Sequence, residues 1–64
     1  MPNKELKKAR IDKNMTQVEI AKLAGMNIAT YNRKENGIRQ FNESEIKKIA
    51  EILEVNIEDV FFLG

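Results

Sequence analysis

With 64 residues the chain has the length of one small domain, and we expect residues 1–64 to form it. It contains no cysteine and no histidine, which excludes disulfides, thiolate metal sites and histidine-based catalysis. Its 11 basic and 10 acidic residues leave a net charge of +1, which excludes a strongly basic surface overall.

The first predicted helix begins near Asn3 and ends at Asn14. Asparagine tolerates the left-handed conformation with which many helices end. Leu6 and Ala9 recur at helical spacing and give this helix an apolar face. We interpret the lysines on its other faces as solvated side chains.

Four further helices are predicted by one recurring start signal. An apolar residue precedes a capping residue, and a second apolar residue follows four positions after the cap, as in a hydrophobic staple. The caps are Thr16, Asn27, Asn42 and Asn56. Glutamate stands three positions after Thr16 and Asn42, which completes a capping box, and a cap stabilises a helix by ~1 kcal/mol. No segment alternates with period two for long enough to predict a strand, so we expect an all-α, compact five-helix fold.

The second and third predicted helices lie on either side of Gly25. Glycine enters left-handed backbone conformation at little steric cost, so the chain can turn sharply there. Ala21 and Gly25 are small enough to let the two helices meet closely. The third helix covers residues 28–35 and stops at an Asn-Gly turn. This is the geometry of a helix-turn-helix, whose second helix can enter the major groove of DNA.

Helical spacing also assigns the core. The expected core residues of the first half are Leu6, Ala9, Met15, Ile20, Ala21, Leu23, Ala24, Met26 and Tyr31. Those of the second half are Phe41, Ile46, Ile49, Ala50, Leu53, Val55, Ile57, Val60 and Phe61. On the third helix, Tyr31 and Lys34 fall on the core side.

The opposite face of the third helix carries Ile28, Ala29, Asn32 and Arg33, which are candidates for reading base edges. Arg33 can donate two hydrogen bonds to guanine, and Asn32 can pair with adenine or lie against a phosphate. Ile28 and Ala29 suit a thymine methyl group. Two alternatives stay open: Ile28 can pack in the core, and Ala29 can serve only as a good helix former.

Candidate phosphate contacts stand at the starts of the second and third helices and in the turn after the third. Free backbone N–H groups and the helix dipole favour an anion at a helix start, and side-chain donors add to them. The candidates are Thr16, Gln17, Asn27, Thr30, Asn36, Arg39 and Gln40. Each also has a plain interpretation as a cap, a turn residue or a surface polar residue.

Residues 16–37, TQVEIAKLAGMNIATYNRKENG, resemble the helix-turn-helix of the Cro/CI repressor-like family of small bacterial and phage regulators, also called the xenobiotic-response-element family. The matching residues are Thr16-Gln17, Glu19-Ile20-Ala21, Gly25 and Glu35-Asn36-Gly37. The resemblance continues through Leu6, Ala9 and Arg10 and through residues 46–61, so it covers nearly the whole chain. The run TYNRKENG looks especially like phage-type regulators.

The resemblance implies a lambda-repressor-like domain that binds double-stranded DNA in a sequence-specific way and regulates transcription, with repression as the expected effect. It also implies an ion pair between Arg10 and Glu35 that ties the first helix to the third. One residue departs from the family pattern, because Lys34 stands where a large apolar residue is usual. Either its methylene stem covers the core while its ammonium reaches water, or the third helix is slightly rotated.

The charges are unevenly distributed along the chain. Residues 28–40 contain Arg33, Lys34 and Arg39 against the single acid Glu35, whereas residues 51–59 contain four acids and no base. We therefore expect one positive face and one negative end, which would orient the molecule on a polyanion.

One short helix reads few base pairs, so we expect a homodimer on an inverted-repeat operator with half-sites ~34 Å apart. The expected dimer interface is Ile52, Val55, Phe62 and Leu63, a region more apolar than a solvated terminus needs.

A rival hypothesis is an antitoxin or adaptor that uses the same fold to hold another protein. An enzyme is not expected, and no metal, cofactor or small-molecule ligand is suggested. No apolar run approaches the roughly 18 residues of a membrane span and no signal peptide is recognised, so we expect a cytoplasmic protein.

Overall fold

The computed structural model describes residues 3–61, and these form five helices and no strand. The helices are α1 (Lys4–Asp12), α2 (Gln17–Leu23), α3 (Ile28–Glu35), α4 (Glu43–Leu53) and α5 (Ile57–Val60). The expected all-α fold is confirmed. In this part of the chain, none of the helices has the length and apolar character needed to cross a membrane.

Three of the four helix starts have the predicted caps. Capping boxes form at Thr16 and Asn42, whose side chains accept from the backbone N–H three residues later at 3.1 and 2.8 Å. Asn27 accepts from the N–H of Ala29 at 2.8 Å. The cap at Asn56 is wrong: its amide donates to the Asp59 carboxylate at 3.3 Å, and α5 begins without a side-chain cap. The Asn56 side chain therefore bonds to the side chain of Asp59 and not to a backbone N–H of α5.

Four of the helices end in the same way. Each is followed by one residue in left-handed conformation, namely Asn14, Gly25, Gly37 and Glu54. In each case this residue donates its N–H to the carbonyl three residues earlier, and the next N–H donates to the carbonyl five residues earlier. These are Schellman motifs, which satisfy the last carbonyls of a helix. The sequence predicted left-handed conformation at Asn14 and Gly25 and a turn at Asn36-Gly37. The left-handed Glu54 was not expected, since glutamate carries no such signal.

The buried apolar residues of all five helices pack into one core. Among those expected there, Leu6, Ile20, Tyr31, Ile49 and Leu53 are fully or almost fully enclosed. Leu23 is a wrong prediction, because its side chain is 62% exposed. The buried stripe of α2 consists of Ile20 and Ala21 and continues at the following residue, Ala24, and at 100° per residue Leu23 lies past its edge.

The expected pair of Arg10 and Glu35 joins α1 to α3 inside the protein. Arg10 Nε donates to Glu35 Oε2 at 3.0 Å, and Arg10 Nη2 donates to Oε1 at 3.3 Å. Both residues are buried, with 8% and 2% of their surface exposed. Arg10 Nη1 also donates to the carbonyl of Met15 at 2.7 Å, so the guanidinium holds both the end of α1 and the end of α3.

Lys34 is accommodated by an ion pair with α4. Its Nζ donates to both carboxylate oxygens of Glu45, at 2.7 and 2.9 Å, and its side chain is only 13% exposed. Of the two alternatives for Lys34, the one in which its ammonium reaches water is therefore wrong, because Glu45 from α4 neutralises it near the core. Glu45 also accepts from the backbone N–H of Asn42, so one carboxylate caps α4 and fixes α3 against it.

Candidate nucleic-acid interface

The turn between α2 and α3 sets the position of the candidate recognition helix. Gly25 adopts φ +71°, and a Cβ placed on it would meet nothing closer than Lys48 Nζ at 4.0 Å. Space is therefore available, and the left-handed backbone is what requires glycine here. The N–H of Met26 donates to the carbonyl of Ala21 at 2.8 Å, which closes the turn. Asn27 then starts α3 immediately.

The two sides of α3 differ sharply in burial. Tyr31 and Glu35 are 0% and 2% exposed, whereas Ala29 and Arg33 on the other side are exposed. The side chain of Ile28 is 40% exposed, which argues against the alternative that it belongs to the core. Three of the four candidate base-reading residues thus lie on an open face, and Asn32 is half-buried at its edge.

Asn32 is held by neighbours on both sides. Its Nδ2 donates to Gln17 Oε1 at 3.0 Å, and its Oδ1 accepts from Asn36 Nδ2 at 3.1 Å. Gln17 in turn donates from Nε2 to Glu35 Oε1 at 3.0 Å. The sequence analysis treated Gln17, Asn32 and Asn36 as independent candidates, and no spacing rule connects residues 15 apart on different helices.

The candidate phosphate contacts surround this face at helix ends and in the following turn. Gln17 opens α2, with Thr16 as its cap, but the Glu19 carboxylate already accepts from the Thr16 N–H at 2.9 Å. Asn27 and Thr30 lie in the corresponding position at the start of α3. Asn36, Arg39 and Gln40 follow the end of α3 and are exposed.

The positive charge of the interface comes from fewer residues than expected. Lys34 is neutralised by Glu45 and Glu35 by Arg10. Arg33 and Arg39 are exposed and take part in none of the ion pairs between described residues. Of the three bases in residues 28–40, the two arginines therefore keep their charge free, and guanidinium groups are suited to bases and phosphates alike.

Glu35 receives four hydrogen bonds, from Arg10 Nε and Nη2, from Gln17 and from the Tyr31 hydroxyl at 2.6 Å. Burial alone raises the pKa of this carboxyl, but the donors from Arg10, Tyr31 and Gln17 outweigh burial and lower it below its ordinary value of 4.5. Burial likewise raises the pKa of Glu45, and the stronger effect of Lys34 and the Asn42 N–H lowers it. Both carboxylates are charged when the domain is folded at neutral pH.

These lowered pKa values predict an acid-sensitive fold. In the unfolded chain the two carboxylates bind protons near pH 4.5, whereas in the folded domain they bind protons only at lower pH. Acid therefore favours the unfolded state. We expect the free energy of unfolding in urea to fall as the pH drops below about 4.5 through the folded pKa values. Glu45→Gln should flatten that dependence. A stability that is constant or rises on acidification would contradict the prediction.

The sequence analysis assigned no role to two exposed apolar residues near the interface, Val18 and Ile38. Val18 in the first turn of α2 is 60% exposed, and Ile38, directly before Arg39, is 71% exposed. In the sequence each is an isolated apolar residue. The same pattern occurs where an apolar residue packs on the core as part of a hydrophobic staple, so it does not predict exposure. Ile38 follows the left-handed Gly37, at the position where Met15 and Met26 pack on the core after their own turns.

The expected dimer surface is described only in part. Ile52 and Val55 are half-buried and pack against the core, so each leaves only part of its side chain for a partner chain. Phe62 and Leu63 lie outside the described residues. Phe61 contacts Phe41 edge to face with 5.5 Å between ring centroids, in agreement with its expected core position.

Comparison with known proteins agrees with this geometry. A protein-family model described as helix-turn-helix matches residues 6–60. The chain is similar to an uncharacterized HTH-type transcriptional regulator, YqaF, of Bacillus subtilis (strain 168). The two are 45% identical over 53 residues, which are 83% of this chain and 70% of YqaF. The family-model match includes α1 from Leu6 onward and the whole of α2 to α5.

Proposed function

The chain belongs to the Cro/CI-type helix-turn-helix family of DNA-binding transcriptional regulators, and from this membership we propose that it is a repressor that reads an operator as a symmetric dimer. Base edges are read in the major groove by Ile28, Ala29, Asn32 and Arg33. Phosphates are contacted by Thr16, Gln17, Asn27, Thr30, Asn36, Arg39 and Gln40. The protein acts in the cytoplasm, has no enzymatic activity, and blocks transcription by occupying the operator.

The observation that carries this proposal is the two-sided character of α3. Tyr31 and Glu35 anchor one side in the core, while Ala29 and Arg33 are presented to solvent on the other. A helix held in this way keeps its outer face in a fixed orientation, which direct reading of bases requires. The two exposed arginines add attraction to phosphate on the same part of the molecule.

A dimer is proposed because the exposed face of α3 spans only two helical turns. Two copies related by a two-fold axis read two half-sites ~34 Å apart, and the operator is then an inverted repeat. The apolar contact is supplied by the exposed parts of Ile52 and Val55, together with Phe62 and Leu63. Sedimentation equilibrium should give twice the chain mass at micromolar concentration, and a monomer at high micromolar concentration would contradict this part of the proposal.

Selection from random duplex DNA tests the function directly. We expect the bound fraction to enrich an inverted repeat, which would establish base reading, symmetry and half-site spacing together. Arg33→Ala selected in parallel serves as the matched control and should enrich a less defined site. If no DNA binds at low salt and a protein co-purifies instead, the protein-binding alternative replaces this function.

Arg39→Ala tests the phosphate contacts separately from base reading. The affinity should fall by a similar factor for every sequence, and the slope of log K against log salt should decrease by about 0.9, one phosphate contact. Fluorescence anisotropy at several salt concentrations measures both. Lys8→Ala on α1, an exposed cation beside Glu54 and Asp59, should leave the slope unchanged. An unchanged slope for Arg39→Ala would show that Arg39 does not contact phosphate.

A further inference from the structure

A continuous line of side-chain hydrogen bonds runs from the core to the surface of α3. It begins at the buried Glu35 carboxylate, which accepts from Gln17 at 3.0 Å. Gln17 accepts from Asn32 at 3.0 Å, and Asn32 accepts from Asn36 at 3.1 Å. We call these three amides, Gln17, Asn32 and Asn36, the amide chain. It connects the innermost charge of the domain to a candidate base-reading residue.

The direction of the amide chain follows from its buried end. An ionised carboxylate can only accept hydrogen bonds, so Gln17 must turn its NH₂ group towards Glu35 and its oxygen towards Asn32. Asn32 must then turn its own NH₂ group to Gln17 and its oxygen to Asn36. Rotating any one amide by 180° would set two donors or two acceptors against each other.

The buried end is itself immobile and charged. Arg10 donates to both oxygens of the same carboxylate, and the Tyr31 hydroxyl donates to Oε2 at 2.6 Å. These donors lower the pKa of Glu35, so it stays an acceptor at neutral pH. A terminal amide rotates between two nearly equivalent states in water, and here the charge selects one of them.

We propose that Gln17 is a positioning residue for specificity, transmitting the direction imposed by Glu35 to Asn32 and thereby selecting the base pair that Asn32 reads. The inference rests on the DNA-reading function proposed above. With one N–H used by Gln17 and one lone pair by Asn36, Asn32 retains one donor and one acceptor. Adenine offers the complementary pair in the major groove, N7 and N6–H, and the amide chain sets the order in which Asn32 presents its two groups.

Gln17→Met breaks the amide chain while keeping the length of the side chain. We expect the variant, when selected on random duplex DNA, to lose preference at one base pair per half-site. A good bidentate contact discriminates between bases by roughly 5- to 150-fold, and most of that factor should disappear at this position. Asn32→Ala, selected in the same way, identifies the position, and the two variants should relax the same base pair. The preference due to Arg33 should persist in both.

Tyr31→Phe is the matched control for a purely structural effect. It removes a hydrogen bond to the same carboxylate but leaves the amide chain whole. It should lower thermal stability and leave the base preferences unchanged. Thermal melting of all three variants shows whether each is folded at the selection temperature.

A readout without DNA separates this inference from the proposed function. In the free protein, hydrogen exchange of the Asn32 and Asn36 side-chain NH₂ groups should be several-fold faster in Gln17→Met than in the wild type, measured by NMR. Unchanged exchange would overturn the inference whether or not the protein binds DNA. If the wild type selects a defined site and Gln17→Met weakens all sequences equally, Gln17 contacts phosphate and does not position Asn32. A wild type that selects no site refutes the proposed function instead.

Discussion

Replacing Arg10 with methionine is expected to lower the free energy of unfolding by about 3–5 kcal/mol, because it leaves a buried carboxylate without its counter-charge. Glu35 is 2% exposed and cannot recover the loss by contact with water. The variant also loses the hydrogen bond to the Met15 carbonyl. Since a domain of this size has about 5 kcal/mol of stability in total, only about 0–2 kcal/mol should remain, and up to about half of the protein should be unfolded at room temperature. Urea unfolding followed by circular dichroism measures the change.

The control for this variant is Lys7→Met on the exposed side of α1, which introduces the same side chain and should change stability by no more than about 0.5 kcal/mol. The double variant Arg10→Met with Glu35→Leu removes both charges and should be more stable than Arg10→Met alone. A double-mutant cycle with coupling near zero would show that the pair, although formed, does not stabilise the fold.

Arg33→Ala is expected to cost ~1–3 kcal/mol in binding to the preferred operator and to relax the preference at one base pair. The side chain is exposed, and none of the ion pairs between described residues includes it, so its removal should not unfold the domain. Anisotropy titrations against the selected operator and its single-base variants measure the loss. If Arg33→Ala binds the operator and each of its single-base variants as the wild type does, Arg33 does not read a base.

Arg33→Lys separates base reading from charge. Lysine keeps the positive charge but lacks the planar fork that donates two parallel hydrogen bonds. The salt dependence should therefore remain close to that of the wild type while the preference at that base pair falls. If Arg33→Lys keeps the preference at that base pair, a single donor is sufficient and the proposed bidentate contact of Arg33 is wrong.

Local signals account for the part of this structure that was predictable from sequence. The limits of α3 were predicted to the residue, because Asn27 caps its start and the Asn-Gly turn ends it within a few positions. The pairing of Arg10 with Glu35 came from resemblance to a family, since spacing alone left two unrelated surface charges. Base-reading candidates on the outer face of α3 followed from helical periodicity once Tyr31 was assigned to the core.

Contacts between helices account for what was missed. Leu23 has core-like spacing, but the short α2 turns a narrower stripe inward than its apolar residues suggest. The partner of Lys34 lies on α4, 11 positions away, and many other acids were equally plausible in sequence. The amide chain depends on how α2 and α3 cross, which no single segment encodes.

The way α3 is held has a consequence for how this protein could be retargeted. Its start is fixed by the cap at Asn27 and its end by the turn at Asn36-Gly37, and its inward side is anchored through Tyr31 and Glu35. We therefore expect substitutions at Ala29 and Arg33 to leave folding intact and to change only the base sequence that the protein recognises. Asn32 is different, because its neighbours share its hydrogen bonds. Recognition of new operators should thus be easier to acquire, by engineering or by evolution, through substitutions at Ala29 and Arg33 than through substitutions at Asn32.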